Sequence, residues 1–192
     1  MLRLVLFASG AGTTAECVIS ACQTHRIAGD VVLLVGNNSG AEVFARARRL
    51  GVATRHLSGR TNPDPDLLDA EILRTLRSVA ASHIVLAGYM KKLGPRTLAA
   101  FAGRIVNTHP ALLPAFGGQG MYGRRVHEAV LESGVKITGA TVHHVEGEYD
   151  TGPVIAQTEV AVLDSDTVDT LAARVQKAER ELLVRTLAAI AG

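Results

Sequence analysis

The fold is decided by the stretch Leu4-Val5-Leu6-Phe7-Ala8-Ser9-Gly10-Ala11-Gly12-Thr13-Thr14-Ala15, near the start of the chain. It opens with an apolar run of strand length, and the glycine-containing turn after this run leads directly into helical spacing. The same alternation continues, with apolar runs at 31–35, 52–57, 84–87 and 104–107 and helix-like stretches at 14–25, 41–50, 66–80 and 126–132. Continuous apolar strands between helices predict an α/β fold, a Rossmann-like, mostly parallel twisted sheet with helices on both faces.

The pattern changes after Gly134. Residues 137–145 alternate like a strand, and a second extended run follows at 153–162, which predicts an antiparallel hairpin near the C-terminus. The segment 164–167 then offers an N-cap for a final helix. We expect a single domain over 1–192, divided near residue 100 into halves 1–100 and 101–192.

Composition limits the classes of function. A chain of 192 residues with 47% hydrophobic residues can bury a substantial core, and a net charge of +2 is too small to indicate nucleic-acid binding. Cys17 and Cys22 are too few and too close together for a secreted disulfide framework, which favours a reducing compartment. Because no stretch approaches the roughly 20 apolar residues of a membrane helix, we expect a cytoplasmic protein without membrane contact.

The loop after the first strand, 9–15, is a candidate phosphate site, because free backbone N–H groups at a helix N-terminus bind anions. Gly10, Gly12 and Ala15 satisfy a relaxed dinucleotide fingerprint. That fingerprint also requires an acidic residue near the end of the second strand, where this chain has the segment 35–38, Val-Gly-Asn-Asn. A dinucleotide is therefore disfavoured, while a purely structural turn stays open.

Three polar residues are candidates for catalysis. Asn107 and His109 leave an apolar strand two residues apart, so period-two alternation turns both side chains to the same side. Asp150 precedes a Thr-Gly-Pro break that ends another extended segment. If they converge, the amide could donate to an oxyanion, the imidazole could move protons and the carboxylate could hold its charge state. The alternatives are a structural histidine at a strand end and an aspartate that only makes a turn.

A hydrolase triad of Ser9, His109 and Asp150 is disfavoured, because Ala8-Ser9-Gly10 lacks the leading glycine of a nucleophile elbow.

A zinc site is also disfavoured. His143 and His144 are adjacent in a predicted strand and would point to opposite faces, and Cys17 and Cys22 lack Cys-x-x-Cys spacing. We therefore expect both histidines to be sheet residues and no metal to be needed. Thr141 shares a face with His143 and is a weaker candidate for a supporting hydrogen bond.

The segment 107–114, Asn-Thr-His-Pro-Ala-Leu-Leu-Pro, together with 150–155, Asp-Thr-Gly-Pro-Val-Ile, resembles the signature of the folate-dependent formyltransferases. The resemblance runs from Leu2 to the last helix and is strongest to members that formylate glycinamide ribonucleotide. It implies formyl transfer from 10-formyltetrahydrofolate, as cosubstrate, to the amine of 5-phosphoribosyl-glycinamide in de novo purine (IMP) biosynthesis. The expected partners are these small molecules, with no nucleic acid or membrane, and the protein would be a monomer or homodimer.

The resemblance also implies roles for particular residues. His109 would be the catalytic acid, Asn107 would steady the carbonyl oxygen, and Asp150 would raise the pKa of the histidine. The first half would bind phosphate, and the second half would carry catalysis and folate binding. The folate would contact Met90, Lys91, Lys92, Leu93, Asn107, Glu146, Gly147, Glu148, Tyr149 and Asp150. The ribonucleotide would contact Gly12, Thr13, Thr14, Gln176, Lys177, Ala178 and Glu179.

One position departs from the family pattern. Where family members place an arginine thought to meet the folate's glutamate tail, this chain has Pro65, and Arg60 could substitute. A formyltransferase acting on methionyl-tRNA should add a C-terminal domain, and a formyltetrahydrofolate hydrolase an N-terminal one. A non-catalytic Rossmann module would keep the loop 9–15 without needing the Asn107, His109 and Asp150 set. The glycine-rich loop 116–123 is long enough to move over a ligand.

Overall fold

A computed structural model describes residues 1–192, in which seven strands alternate with six helices. The strands are β1 (Leu2–Ala8), β2 (Gly29–Gly36), β3 (Thr54–His56), β4 (His83–Leu86), β5 (Ile105–His109), β6 (Ile137–His144) and β7 (Val154–Ala161). The helices are α1 (Thr13–Gln23), α2 (Val43–Arg49), α3 (Pro65–Ser78), α4 (Pro95–Ala100), α5 (Arg124–Ser133) and α6 (Val168–Ala191). The sheet has the order β3-β2-β1-β4-β5-β6-β7. No helix is both long and apolar enough to cross a membrane.

The chain forms two compact units, of which the first contains Met1–Val106 and Leu187–Gly192. Its strands pair in parallel, and in the centre Phe7 of β1 lies between Val35 of β2 and Leu86 of β4. These side chains are buried, which explains why their strands are continuous apolar runs. The chain passes from β1 to β2 and β3 on one side and then to β4 on the other, so the strand order reverses between β1 and β4.

Gly12 fixes the turn between β1 and α1. It is the N-cap of α1 with φ +82, a left-handed conformation that favours glycine. A Cβ placed there would lie 2.2 Å from Cγ2 of Val43. The close approach of this turn to α2 therefore requires the absence of a side chain.

Helix α4 was not expected from the sequence, because six residues are too few to show a hydrophobic period. The buried carboxylate of Asp69, on α3, accepts hydrogen bonds from the backbone N–H of Arg96 at 2.7 Å and of Thr97 at 3.1 Å. A tertiary contact thus supplies the N-terminal cap that the local sequence lacks. Pro65 begins α3, and Asp64 caps this helix by accepting from the next turn.

The second unit comprises Asn107–Thr186. Strands β6 and β7 pair antiparallel, with Thr141 opposite Gln157, and the register shifts between Val142 and His143. Thr167 caps α6, since Thr167 and Thr170 exchange hydrogen bonds between each backbone N–H and the other's hydroxyl. A core cluster is formed by Val130, Val160, Leu171 and Val175.

The predicted fold class, a Rossmann-like, mostly parallel sheet with an antiparallel hairpin near the C-terminus, is confirmed. The element bounds shift by a few residues, and β3 is only Thr54–His56 within the predicted run 52–57.

Candidate active site

A cleft of about 290 Å³ lies in the first unit at the carboxyl ends of β1 and β4. It is lined by Ser9, Gly10, Ala11, Gly12, Thr13, Thr14, Ala87, Gly88 and Met90. Because the strand order reverses between these two strands, the cleft occupies the position where open α/β sheets bind ligands.

The donors of this cleft are backbone groups. Helix α1 has no side-chain cap, so its first N–H groups, including those of Thr13 and Thr14, have no partner within the helix. The hydroxyl of Ser9 accepts the N–H of Met90 at 2.9 Å and joins the two loops that form the rim. A phosphate in this cleft would therefore meet N–H groups at the positive end of a helix dipole.

In the second unit the structure brings the three candidate catalytic residues together. The Nδ1 atom of His109 lies 3.4 Å from Oδ2 of Asp150, and their side chains are only 4% and 9% exposed. Two backbone groups of the loop after β5 hold this pair: the carbonyl of Phe116 lies 2.7 Å from His109 Nε2, and the N–H of Gly118 donates to Asp150 at 3.0 Å. The carboxylate is thus aimed at the imidazole by the chain around it.

The backbone at this place is unusual. Asp150 has φ 56 and Phe116 has φ 55, conformations that non-glycine residues adopt uncommonly. Between them in space, a Cβ on Gly117 would approach Cδ2 of Leu113 to 2.4 Å. Left-handed residues and a close backbone approach of this kind occur where the surrounding structure over-determines them, commonly at ligand sites.

His143 belongs to the same cluster. The sequence predicted only that His143 lies in the sheet, not that it contacts Asn107 and Asp150. Its Nε2 atom is 3.1 Å from Nδ2 of Asn107 and 3.5 Å from Oδ1 of Asp150, and its Nδ1 is 2.8 Å from the carbonyl of His144. The one sequence feature that pointed to this position is weak: by period-two alternation, His143 shares a strand face with Thr141. The register shift next to it is not visible in the sequence.

Thr141 supports the segment that follows β5. Its hydroxyl donates to the carbonyl of Ala111 at 2.6 Å and accepts from Leu113 N–H at 3.0 Å. Gln157 donates to the same hydroxyl and to the carbonyl of Leu113, both at 2.9 Å. The residue therefore holds the backbone beyond His109 in place.

Burial and nearby charge act on the pKa of His109 in opposite directions. Burial lowers the pKa of His109, and although the charge of Asp150 and the Phe116 carbonyl both act to raise it, burial prevails. The expected effect of Asp150, which is to raise the pKa of the histidine, is therefore present, but burial outweighs it. For Asp150, burial acts to raise the pKa, but the His143 ring 3.5 Å away, the charge of His109 and the Gly118 N–H together lower it. The pair rests as a neutral imidazole beside a carboxylate.

On α6, Glu179 accepts a short hydrogen bond from the hydroxyl of Thr108, and burial raises the pKa of its carboxyl group. Gln176 and Lys177 are exposed, and Ala178 packs against the core cluster. Of the residues expected on this helix to hold the ribonucleotide, Glu179 is thus the one that contacts β5, the strand of Asn107 and His109.

The residues expected to contact the folate fall in both units. Met90 is 46% exposed and Lys91 and Lys92 are exposed, whereas Leu93 is buried and has little side chain to present. The turn 146–149 is exposed and leads into Asp150.

Comparison with known proteins identifies the family of this chain and several similar proteins. The formyl transferase family model matches residues 2–187. Phosphoribosylglycinamide formyltransferase of Escherichia coli (strain K12) is 35% identical over 181 residues, covering 94% of this chain and 83% of that protein. The chloroplastic phosphoribosylglycinamide formyltransferase of Arabidopsis thaliana is 42% identical over 190 residues, 98% of this chain. The chain spans only 65% of the length of this plant relative.

A solved structure is also similar over the whole chain. Glycinamide ribonucleotide transformylase 1 from Geobacillus kaustophilus aligns with a TM-score of 0.93 and 38% sequence identity, covering 100% of both chains. The aligned region therefore spans the loop 9–15, His109 and the hairpin.

Proposed function

Because the chain belongs to the formyl transferase family, we propose that it transfers the formyl group of 10-formyltetrahydrofolate to the primary amine of 5-phosphoribosyl-glycinamide. This is a step of de novo purine (IMP) biosynthesis. The observation that carries the proposal is the buried His109–Asp150 pair, joined through His143 to the amide of Asn107. In acyl transfer between two nitrogens, an amide donor can stabilise the oxyanion, an imidazole can carry the proton, and a fixed carboxylate can stabilise the imidazolium.

The first step is attack of the substrate amine on the formyl carbon. A C–N bond forms, the carbonyl π electrons move to oxygen, and the adduct carries an oxyanion and a positively charged nitrogen. An N–H of Asn107 donates to the oxyanion, and one such donor is worth about 100- to 1000-fold in rate.

His109 then moves the proton. Since burial lowers its pKa, the neutral imidazole is present to take the proton from the attacking nitrogen. The imidazolium formed beside Asp150 gives the proton to the folate nitrogen, the bond from carbon to that nitrogen breaks, and tetrahydrofolate leaves. The oxyanion collapses to the formamide, and the imidazole returns to its neutral form.

The contacts of the His109 ring indicate which of its nitrogens accepts the proton. The Phe116 carbonyl can only accept, so the Nε2 atom of His109, 2.7 Å away, is the one that carries hydrogen in the neutral ring. The lone pair is then on Nδ1, beside Asp150. The arriving proton is placed where the carboxylate stabilises it most strongly.

The binding roles complete the proposal. Gly12, Thr13 and Thr14 would bind the substrate phosphate, consistent with the unpaired donors of the cleft. Glu179, with the neighbouring 176–178, would hold the rest of the ribonucleotide. The segments 90–93 and 146–150 would contact the folate. In this assignment residues 1–100 bind phosphate and contribute the folate contacts at 90–93, and 101–192 carry catalysis and the other folate and ribonucleotide contacts, within one formyltransferase domain.

The test is to mix the purified protein with 10-formyltetrahydrofolate, with and without glycinamide ribonucleotide, and to follow tetrahydrofolate release. Release that depends on the acceptor supports a transferase, release without it indicates a hydrolase, and no release indicates a binding module.

His109→Ala should lower kcat by about 100- to 10,000-fold, the usual contribution of a general acid–base group, while ribonucleotide binding survives. His25→Asn, which alters an exposed histidine, is the matched control and should leave kcat unchanged. Unchanged turnover of the His109→Ala protein would remove His109 from the mechanism.

A further inference from the structure

The buried imidazole of His143 has three polar neighbours and only two ring nitrogens to serve them. Its side chain is 2% exposed, and water is largely excluded from it. Nδ1 faces the carbonyl of His144 at 2.8 Å, while Nε2 faces both the amide of Asn107 at 3.1 Å and the carboxylate of Asp150 at 3.5 Å.

The His144 carbonyl determines which nitrogen carries the hydrogen. A carbonyl oxygen is only an acceptor, so Nδ1 must donate to it, and in the neutral ring Nε2 then has a lone pair. A lone pair on Nε2 can accept only from the NH₂ group of Asn107, and this choice fixes which end of the amide faces the imidazole. The opposite amide orientation would set carbonyl oxygen against lone pair.

We propose that His143 is a positioning residue that fixes the orientation of the Asn107 amide, and thereby presents its second N–H to the formyl oxygen. The inference rests on the formyl-transfer function proposed above. An amide has two N–H donors; His143 takes one, and the other is left for the ligand. A reversed amide would present its own carbonyl oxygen to the developing oxyanion and would repel it.

Asp150 does not compete for this bond in the neutral state. With hydrogen on Nδ1, Nε2 of His143 has no hydrogen to donate to Oδ1 of Asp150, 3.5 Å away, and its shorter contact is the amide of Asn107 at 3.1 Å. Gly118 and His109 contact the other oxygen, Oδ2, at 3.0 and 3.4 Å. The two histidines therefore have different partners: His109 pairs with the carboxylate of Asp150, and His143 pairs with the amide of Asn107.

A kinetic cycle tests the route of action. His143→Leu, which removes the acceptor, should lower kcat by about tenfold or more while leaving KM for both substrates within about twofold, because the lost interaction acts in the transition state. His143→Gln, which keeps an acceptor oxygen at a similar reach, should recover most of the lost kcat.

The same cycle separates positioning from a general structural effect. If His143 acts through Asn107, the double variant Asn107→Ala/His143→Leu should be no slower than Asn107→Ala alone. Losses that multiply in the double variant would overturn the proposal, as would full activity of the His143→Leu protein.

A measurement on the unmodified protein guards against variants that fold poorly. Nitrogen-15 NMR of the imidazole rings should show the hydrogen of His143 on Nδ1, the atom that faces the His144 carbonyl, and not on Nε2. Hydrogen on Nε2, in either protonation state, would overturn the proposal. If the wild-type protein transfers no formyl group, the proposed function fails instead, and the NMR result still reports on the geometry of His143.

Discussion

Replacing Asp150 by Asn tests how much the carboxylate contributes to catalysis. The substitution removes one charge 3.4 Å from His109 Nδ1 and keeps an oxygen that can still accept from Gly118. At an effective dielectric constant of about 20, two unit charges at this distance interact by about 5 kcal/mol. Because Asn keeps its dipole and the site relaxes, we expect a loss of about 2–4 kcal/mol of imidazolium stabilisation, or roughly 30- to 1000-fold in kcat.

The assay is tetrahydrofolate release under saturating substrates, together with an NMR titration of the His109 ring. The Asp150→Asn protein should show both the lower kcat and a pKa of His109 that falls further, since burial is then opposed only by the Phe116 carbonyl. Asp164→Asn is the matched control, because this exposed carboxylate pairs with Lys136 at the surface, and its kcat should stay within about twofold of wild type. An Asp150→Asn protein with normal kcat, or with a raised pKa of His109, would refute the reasoning.

Three further predictions concern binding and stability. Gly12→Ala should weaken ribonucleotide binding and lower the free energy of unfolding by about 1–3 kcal/mol, because the added Cβ would lie 2.2 Å from a methyl of Val43. Calorimetry measures the binding and urea unfolding measures the stability. Wild-type values in both measurements would contradict this prediction. Thr141→Val should cost about 2–4 kcal/mol of unfolding free energy, because it leaves buried partners of the hydroxyl unpaired; a loss below about 0.5 kcal/mol would count against this role. Burial lowers the pKa of both His109 and His127, so the unfolded chain binds protons more readily. Their contribution to stability should be present above the ordinary histidine pKa of 6.5 and should be lost as the pH falls below it. Urea unfolding at pH 7.5 and 5.5 measures this loss. In the His109→Ala and His127→Ala proteins, the free energy of unfolding should fall less between the two pH values.

The sequence predicted the elements whose burial gives a clear period. Strands β1, β2 and β4 are continuous apolar runs because both of their faces are covered, and the hairpin was visible from alternation in β6. Helix α4 was missed because its cap is the carboxylate of Asp69, which is 27 residues away from Arg96 in the chain. A helix cap supplied by a residue that is distant in the chain cannot be recognised from the residues next to the helix.

The candidate site was predicted in part. Asn107 and His109 share a face by alternation, Asp150 was a candidate partner from its place before the Thr-Gly-Pro break, and the resemblance to formyltransferases implied its role. The position of His143 beside them depends on a register shift in the hairpin, and no pattern of residue types specifies it. The direction of the His109 pKa could not be predicted either, because it depends on the balance between burial and one nearby charge.

The central claim is that the formyl carbon moves from the folate to an amine at the Asn107 and His109 cluster. The most direct measurement is to supply 10-formyltetrahydrofolate labelled with carbon-13 in the formyl group, together with glycinamide ribonucleotide, and to locate the label by NMR. The account predicts that the label appears as a formamide on the ribonucleotide with wild-type protein, and that its appearance is slowed at least 100-fold by His109→Ala. Label recovered as free formate, at a rate indifferent to the acceptor, would contradict it.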